Sequence, residues 1–315
     1  MSGDLPWPLA YTVSGHDCRT PAPLGHTAPL ATAARQLAEL GYDGVEVQVR
    51  DVQARDAAAV EGALAGTGLK VFAVATGPVA AQDGLTLTDP SPDVRRHTLD
   101  RLLGAARLAG TLGVPLTLGQ ARGTLLPGIE DLQRVWAERA VNQLAEEVAA
   151  HDGVLLLEPL SRGTNPLWHT PEDILAFAAG LPGRAGLVLD THHLEADGID
   201  FLAVVREHAA VAGCLQLAAA TTRGPLHVGD HRLPALLTAL REGGFTGWLT
   251  AEHTQGGNSA KAAARSWTAL AYAAGTGPDS SRPVAEGTST RPATNPVPRP
   301  SRPLTSRPPE ETSQP

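Results

Sequence analysis

Val154-Leu-Leu-Leu-Glu158-Pro159 and Gly186-Leu-Val-Leu-Asp190 decide how this chain folds, because each is a short apolar run that ends on a carboxylate. A strand with apolar residues at consecutive positions is buried on both faces, as in a parallel sheet covered by helices. Gly213-Cys-Leu-Gln216 and Gly247-Trp-Leu-Thr-Ala-Glu252 repeat the pattern, ending on a carboxamide and a carboxylate. In parallel barrels the C-terminal strand ends form the active-site face. Three carboxylates and one carboxamide on one rim, Glu158, Asp190, Glu252 and Gln216, would make a divalent-metal site.

Earlier in the chain, Leu9–Val13, Gly44–Gln48, Lys70–Thr76 and Pro115–Leu118 read as four further strands. The late four are expected at Val154–Glu158, Gly186–Asp190, Val211–Leu217 and Gly247–Glu252. Between the strands lie helical patterns, for example Ile129, Leu132, Val135, Trp136, Leu144 and Val148, mostly three or four apart. Ser91-Pro92-Asp93 and Thr170-Pro171-Glu172-Asp173 each place a cap residue before a first-turn proline. Eight strands alternating with helices predict an α/β fold, a (β/α)8 TIM barrel over residues 1–275. A doubly wound sheet would want a Gly-rich turn after the first strand, and Gly15-His16-Asp17 does not supply one.

The chain has 315 residues, 42% of them hydrophobic, enough for one large core, and a formal net charge of -8. That charge argues against a nucleic-acid groove, which draws its affinity from Lys and Arg on phosphates. Cys18 and Cys214 are the two cysteines, so no disulfide framework is implied, and Cys214 reads as a buried hydrophobe. Neither a signal peptide nor a membrane span is visible, and the cytoplasm is the expected location. Residues 276–315 hold ten of the 26 prolines and no aromatic residue, which predicts a disordered Pro/Ser/Thr/Arg-rich tail. Lys70 and Lys261 are the two lysines, at a strand start and on the last helix, so a Schiff-base aldolase is excluded.

A charged carboxylate at a buried strand end must be paired with an arginine or hold a metal. Three of them in one half-barrel favour the metal, since crowded like charges need a cation. With Gln216 as fourth ligand the donor set is all oxygen, which suits Mg²⁺ or Mn²⁺ better than zinc. Co²⁺ is a further candidate. His193 is expected to face the site, and Arg223 to meet an anionic or hydroxyl-rich substrate. The loop Gly77–Pro90 is long enough for a lid. Trp7 and Trp168 are open to two readings, pocket wall or core. No Gly-rich phosphate loop precedes a late helix, which favours an unphosphorylated substrate.

Leu157-Glu158-Pro159-Leu160, Leu189-Asp190-Thr191-His192-His193 and Gly243-Gly244-Phe245-Thr246-Gly247-Trp248-Leu249-Thr250-Ala251-Glu252 resemble the xylose-isomerase-like barrel superfamily. Leu40-Gly41-Tyr42-Asp43-Gly44-Val45-Glu46-Val47 and Asp89-Pro90-Ser91-Pro92-Asp93-Val94-Arg95-Arg96 fit the same pattern. The resemblance covers about residues 8–274. Cys214-Leu215-Gln216-Leu217-Ala218 is similar to the hydroxypyruvate isomerase branch, where a glutamine replaces the histidine ligand of most sugar epimerases. It implies that Glu158, Asp190, Gln216 and Glu252 bind the metal and that His193 and Arg223 touch substrate. The loop Ser161–Trp168 lacks the acidic residue that ketohexose epimerases carry there.

The expected activity is a metal-dependent isomerase or epimerase of a small sugar or hydroxy-keto acid. Glu158 and Glu252 would serve as acid and base through an enediolate. A lyase or dehydratase acting on a keto-cyclitol or an oxidised glycoside is the first alternative, and a non-catalytic sugar-binding protein the second. No nucleic-acid or membrane partner is expected, and a homo-oligomer is allowed.

Overall fold

The computed structural model describes residues 5–19 and 22–275, so the expected tail lies outside the described residues. Eight strands form one closed barrel in chain order: β1 (Leu9–Ser14), β2 (Gly44–Gln48), β3 (Lys70–Ala75), β4 (Leu116–Leu118), β5 (Val154–Leu157), β6 (Arg184–Asp190), β7 (Ala212–Leu217) and β8 (Trp248–Ala251). Every neighbouring pair is parallel, and β8 closes onto β1 through Leu9, Ala10 and Tyr11. The helices between them are α1 (Leu30–Leu40), α2 (Ala57–Leu64), α3 (Gly77–Asp83), α4 (Pro92–Leu112), α5 (Glu130–Ala150), α6 (Pro171–Ala178), α7 (Thr191–Ala196), α8 (Phe201–His208), α9 (Arg232–Glu242) and α10 (Ser259–Ala273). The fold is thus the (β/α)8 TIM barrel, and none of its helices is long and apolar enough to cross a membrane.

Strand alternation explains why the apolar runs are continuous. Leu155, Leu157, Leu187, Leu189, Leu215 and Leu217 join the core under the helices. The intervening Val154, Leu156, Val188, Cys214 and Trp248 form a separate buried cluster with Ala10, Phe72 and Ala73, inside the barrel. Phe72 stacks on Trp248, ring centroids 5.1 Å apart. Leu156 fits because its neighbours are glycines: a Cβ on Gly213 would meet Leu156 Cδ2 at 2.9 Å, and one on Gly186 at 3.2 Å. The same alternation, carried two residues beyond Leu156, Val188, Cys214 and Thr250, brings Glu158, Asp190, Gln216 and Glu252 to the inner rim.

Local signals act unevenly. Thr170 caps α6, its Oγ1 accepting from the Asp173 N–H at 3.1 Å. Ser91 precedes α4 without a side-chain cap bond. On α5, Leu132 and Val135 are exposed while Gln133 turns inward, because its amide bonds Thr88 O at 2.7 Å and the Leu126 N–H at 2.6 Å. The segment read as a loop at Gly77–Pro90 begins as helix α3, stopped by Gly84 at φ 66. Asp83 ties α3 to Arg50 (2.9 Å) and Arg19 (3.1 Å).

Candidate active site

A cavity of about 150 Å³ opens at the C-terminal end of the barrel. Glu158, Gln216, Glu252, His193 and Arg223 all line it. Asp190, fully buried, pairs in register with Gln216 on the adjacent strand. The six residues singled out in the sequence therefore meet in one place.

Arg223 joins two of them. Its Nη2 donates to Asp190 Oδ2 and to Glu252 Oε2, both at 3.1 Å. The Arg223 backbone is left-handed at φ 47, a cost of about 1 kcal/mol or more for a residue with a side chain. Thr254 holds it there, its N–H (2.8 Å) and Oγ1–H (3.1 Å) donating to Arg223 O.

His193 stands over the carboxylates, with Nε2 3.8 Å from both Glu158 Oε1 and Asp190 Oδ2. Its Nδ1 accepts from the Ser161 N–H at 3.2 Å, so the proton of the neutral ring sits on Nε2, toward the cavity. Burial pushes His193 down to about 4, which keeps the ring neutral. The neighbouring His192 contributes its backbone instead, donating to Asp190 Oδ1 at 2.8 Å.

Gln216 donates from Nε2 to Glu46 Oε2 at 3.0 Å and Oε1 at 3.3 Å. Its Oε1 is buried without a donor, and so is Glu158 Oε1. A buried acceptor left unbonded costs about 1–3 kcal/mol. Burial, then the charges of Glu252 and Asp190, push the Glu158 carboxyl well above the carboxylate range. Burial likewise pushes Glu252 up to about 8. Two orphaned oxygens beside crowded carboxylates fit a cation, which would bond the oxygens and lower those pKa values together. Glu158, Asp190 and His193 offer ligand atoms within 4.8 Å of one another. Among the described residues one other such group occurs, Glu172, Glu207 and His208, on the outer helices α6 and α8.

Several contributors escaped the sequence reading. Gln48 lines the cavity and donates to Glu252 Oε1 at 3.2 Å. Fully buried Arg122 donates to the Glu158 carbonyl at 2.6 Å, and burial pushes its guanidinium down to about 10. Gly119 makes room for the carboxylate, since a Cβ there would meet Glu158 Oε2 at 2.5 Å. Glu46 is a fully buried acid inside β2. Its signal was present: Gly44-Val-Glu-Val-Gln48 alternates, and in a strand covered by helices the polar residues must face the barrel interior. Trp7 and Trp168 take the packing alternative. Trp7 bonds Phe245 O at 2.7 Å and Trp168 stacks on Phe177 with centroids 4.0 Å apart.

Known proteins share this architecture. A Streptomyces coelicolor protein provisionally named a hydroxypyruvate isomerase is 30% identical over 201 residues, 60% of this chain and 69% of the relative. The 3-keto-D-glucoside 4-epimerase of E. coli superposes with a TM-score of 0.65 at 17% identity, over 85% of this chain and 98% of the other. The D-psicose 3-epimerase of Clostridium cellulolyticum H10, solved with D-tagatose, gives 0.66 at 17% identity, over 84% and 98%. At those identities the two structures testify to the fold alone. The sequence profile described as xylose isomerase-like TIM barrel matches residues 34–270, and the chain belongs to that family.

Proposed function

We propose that the protein is a divalent-metal-dependent isomerase or epimerase of a small sugar or hydroxy-keto acid. The observation that carries this reading is the pair of orphaned oxygens, Glu158 Oε1 and Gln216 Oε1, on residues that line one cavity with Glu252, beside buried Asp190. Glu158, Asp190, Gln216 and Glu252 would hold the ion, and Mn²⁺ or Mg²⁺ suits four oxygens best. When bound, such an ion polarises a substrate carbonyl. The Streptomyces relative's name supports a hydroxy-keto acid among the candidate substrates.

The chain's own groups divide the work. Glu158, whose carboxylate lines the cavity, removes the proton from the carbon beside the carbonyl, and the C–H electron pair moves toward the carbonyl oxygen as an enediolate forms. Glu252, both of whose oxygens are held by Gln48 and Arg223, is oriented to return a proton. Return to the adjacent carbon isomerises, and return to the opposite face epimerises. His193 donates from Nε2–H, and Arg223 supplies the cation that an anionic or hydroxyl-rich substrate meets.

The test is a panel of ketoses and hydroxy-keto acids, hydroxypyruvate included, incubated in D₂O with Mn²⁺ and followed by NMR. Deuterium should appear at the carbon beside the carbonyl, and chelation should abolish it. Turnover that persists in excess chelator would refute the metal reading. Turnover without exchange would refute the proton-transfer reading.

A further inference from the structure

Glu46 is a fully buried acid at the middle of β2. It is not among the residues that line the cavity. Its oxygens accept from Thr12 Oγ1 (2.9 Å) and from Gln216 Nε2 (3.0 and 3.3 Å). A buried carboxylate is far more costly than an amide or an apolar side chain of the same size. Stability alone therefore gives no reason for an acid here.

Gln216 supplies the reason. Its carboxamide has two ends of similar shape and opposite polarity, and only the oxygen can hold a cation. A carboxylate behind it accepts at both oxygens, so the NH₂ end turns inward and Oε1 turns to the rim, where it has no protein partner. A neutral amide at position 46 would pair with either end of Gln216, and an apolar residue with neither.

We infer that Glu46 is a positioning residue that fixes the Gln216 carboxamide with its oxygen toward the cation site. The inference rests on the assignment of Gln216 as a metal ligand. It makes cation affinity depend on a residue that does not line the cavity.

The test is Mn²⁺ titration of the full-length protein, with free Mn²⁺ read by EPR, for wild type, E46A, E46Q, Q216A and the double variant E46A/Q216A. E46A should weaken Mn²⁺ binding about 10- to 100-fold, the usual effect of removing a group that orients a ligand. E46Q, whose amide can pair with either end of Gln216, should recover only part of that loss. In the Q216A background E46A should add little, because the two act through one amide. Should E46A not fold, E46M keeps the volume without the acceptor and should show the same loss.

An E46A or E46M protein that binds Mn²⁺ as wild type does, while Q216A is weakened, overturns this inference alone. An equal E46A loss with and without Gln216 also overturns it and makes Glu46 a charge or packing residue. Wild-type affinity in Q216A overturns the ligand assignment, and the inference with it.

Discussion

The two halves of the barrel rim are built from different chemistry. Strands β5 to β8 lead into Glu158, Asp190, Gln216 and Glu252, whereas β1 to β4 lead to Ser14, Gln48, Ala75-Thr76 and Leu118-Gly119. The late half concentrates negative charge, and the early half forms a neutral wall of Gln48, Ala75, Thr76, Gly77, Thr117 and Gly119 across the cavity. In the early half Glu46 sits fully buried within its strand, behind Gln216. The halves are nonetheless coupled by contact, Gly119 to Glu158 and Gln48 to Glu252. The proposed ligand atoms come from one half, and the other gives Glu158 its space and Glu252 one of its bonds.

The largest effect should come from the charged half. Glu158→Gln and Glu252→Gln should each lower kcat roughly a thousandfold, the scale of a lost general acid or base, with an unchanged circular dichroism spectrum. An active variant of either kind would remove that glutamate from proton transfer.

In the neutral half, Gly119→Ala should cost up to about 100-fold in kcat, because its Cβ would lie 2.5 Å from Glu158 Oε2 and displace the carboxylate. The fold should survive, since a side-chain terminus can move. Normal kinetics in this variant would show that the early half does not set the position of Glu158.

Arg223→Ala removes two charge-assisted bonds and should raise KM about tenfold, with a smaller change in kcat. An unchanged KM would confine Arg223 to structure.

The smallest effect is on stability. Without metal, burial holds Glu252 at about 8 and Glu46 at about 7, both above the ordinary 4.5. A raised carboxyl pKa contributes stability that is complete below 4.5 and lost as pH rises through the folded value. Mn²⁺ binds the ionised form and displaces protons, so the Mn²⁺-induced rise in Tm should be larger at pH 8 than at pH 6. Equal increments at both pH values would mean that the ion does not sit among these carboxylates.

Much of this molecule was legible in the sequence because alternation carries both fold and site. In β5 the run Val154–Leu157 specifies burial on both faces, and the next inward position is Glu158. The same reasoning reaches Asp190 and Glu252. Glu46 obeyed the same rule and was missed because it lies inside its strand rather than at the end. Gly119 and Arg122 act on Glu158 across the β4–β5 boundary, at separations of 39 and 36 residues, which no local pattern encodes. The Ser161 bond that fixes the His193 ring depends in the same way on where a loop crosses a helix start.

One cation should bind among the strand-end oxygens of Glu158, Asp190, Gln216 and Glu252. Mn²⁺ titration of wild type, D190N and E252Q, followed by EPR, is the decisive measurement of that site. Wild type should hold one tight Mn²⁺ per chain, and both variants should lose it. Tight binding that survives both substitutions and disappears instead with H208A, at the outer group of Glu172, Glu207 and His208, would contradict this placement.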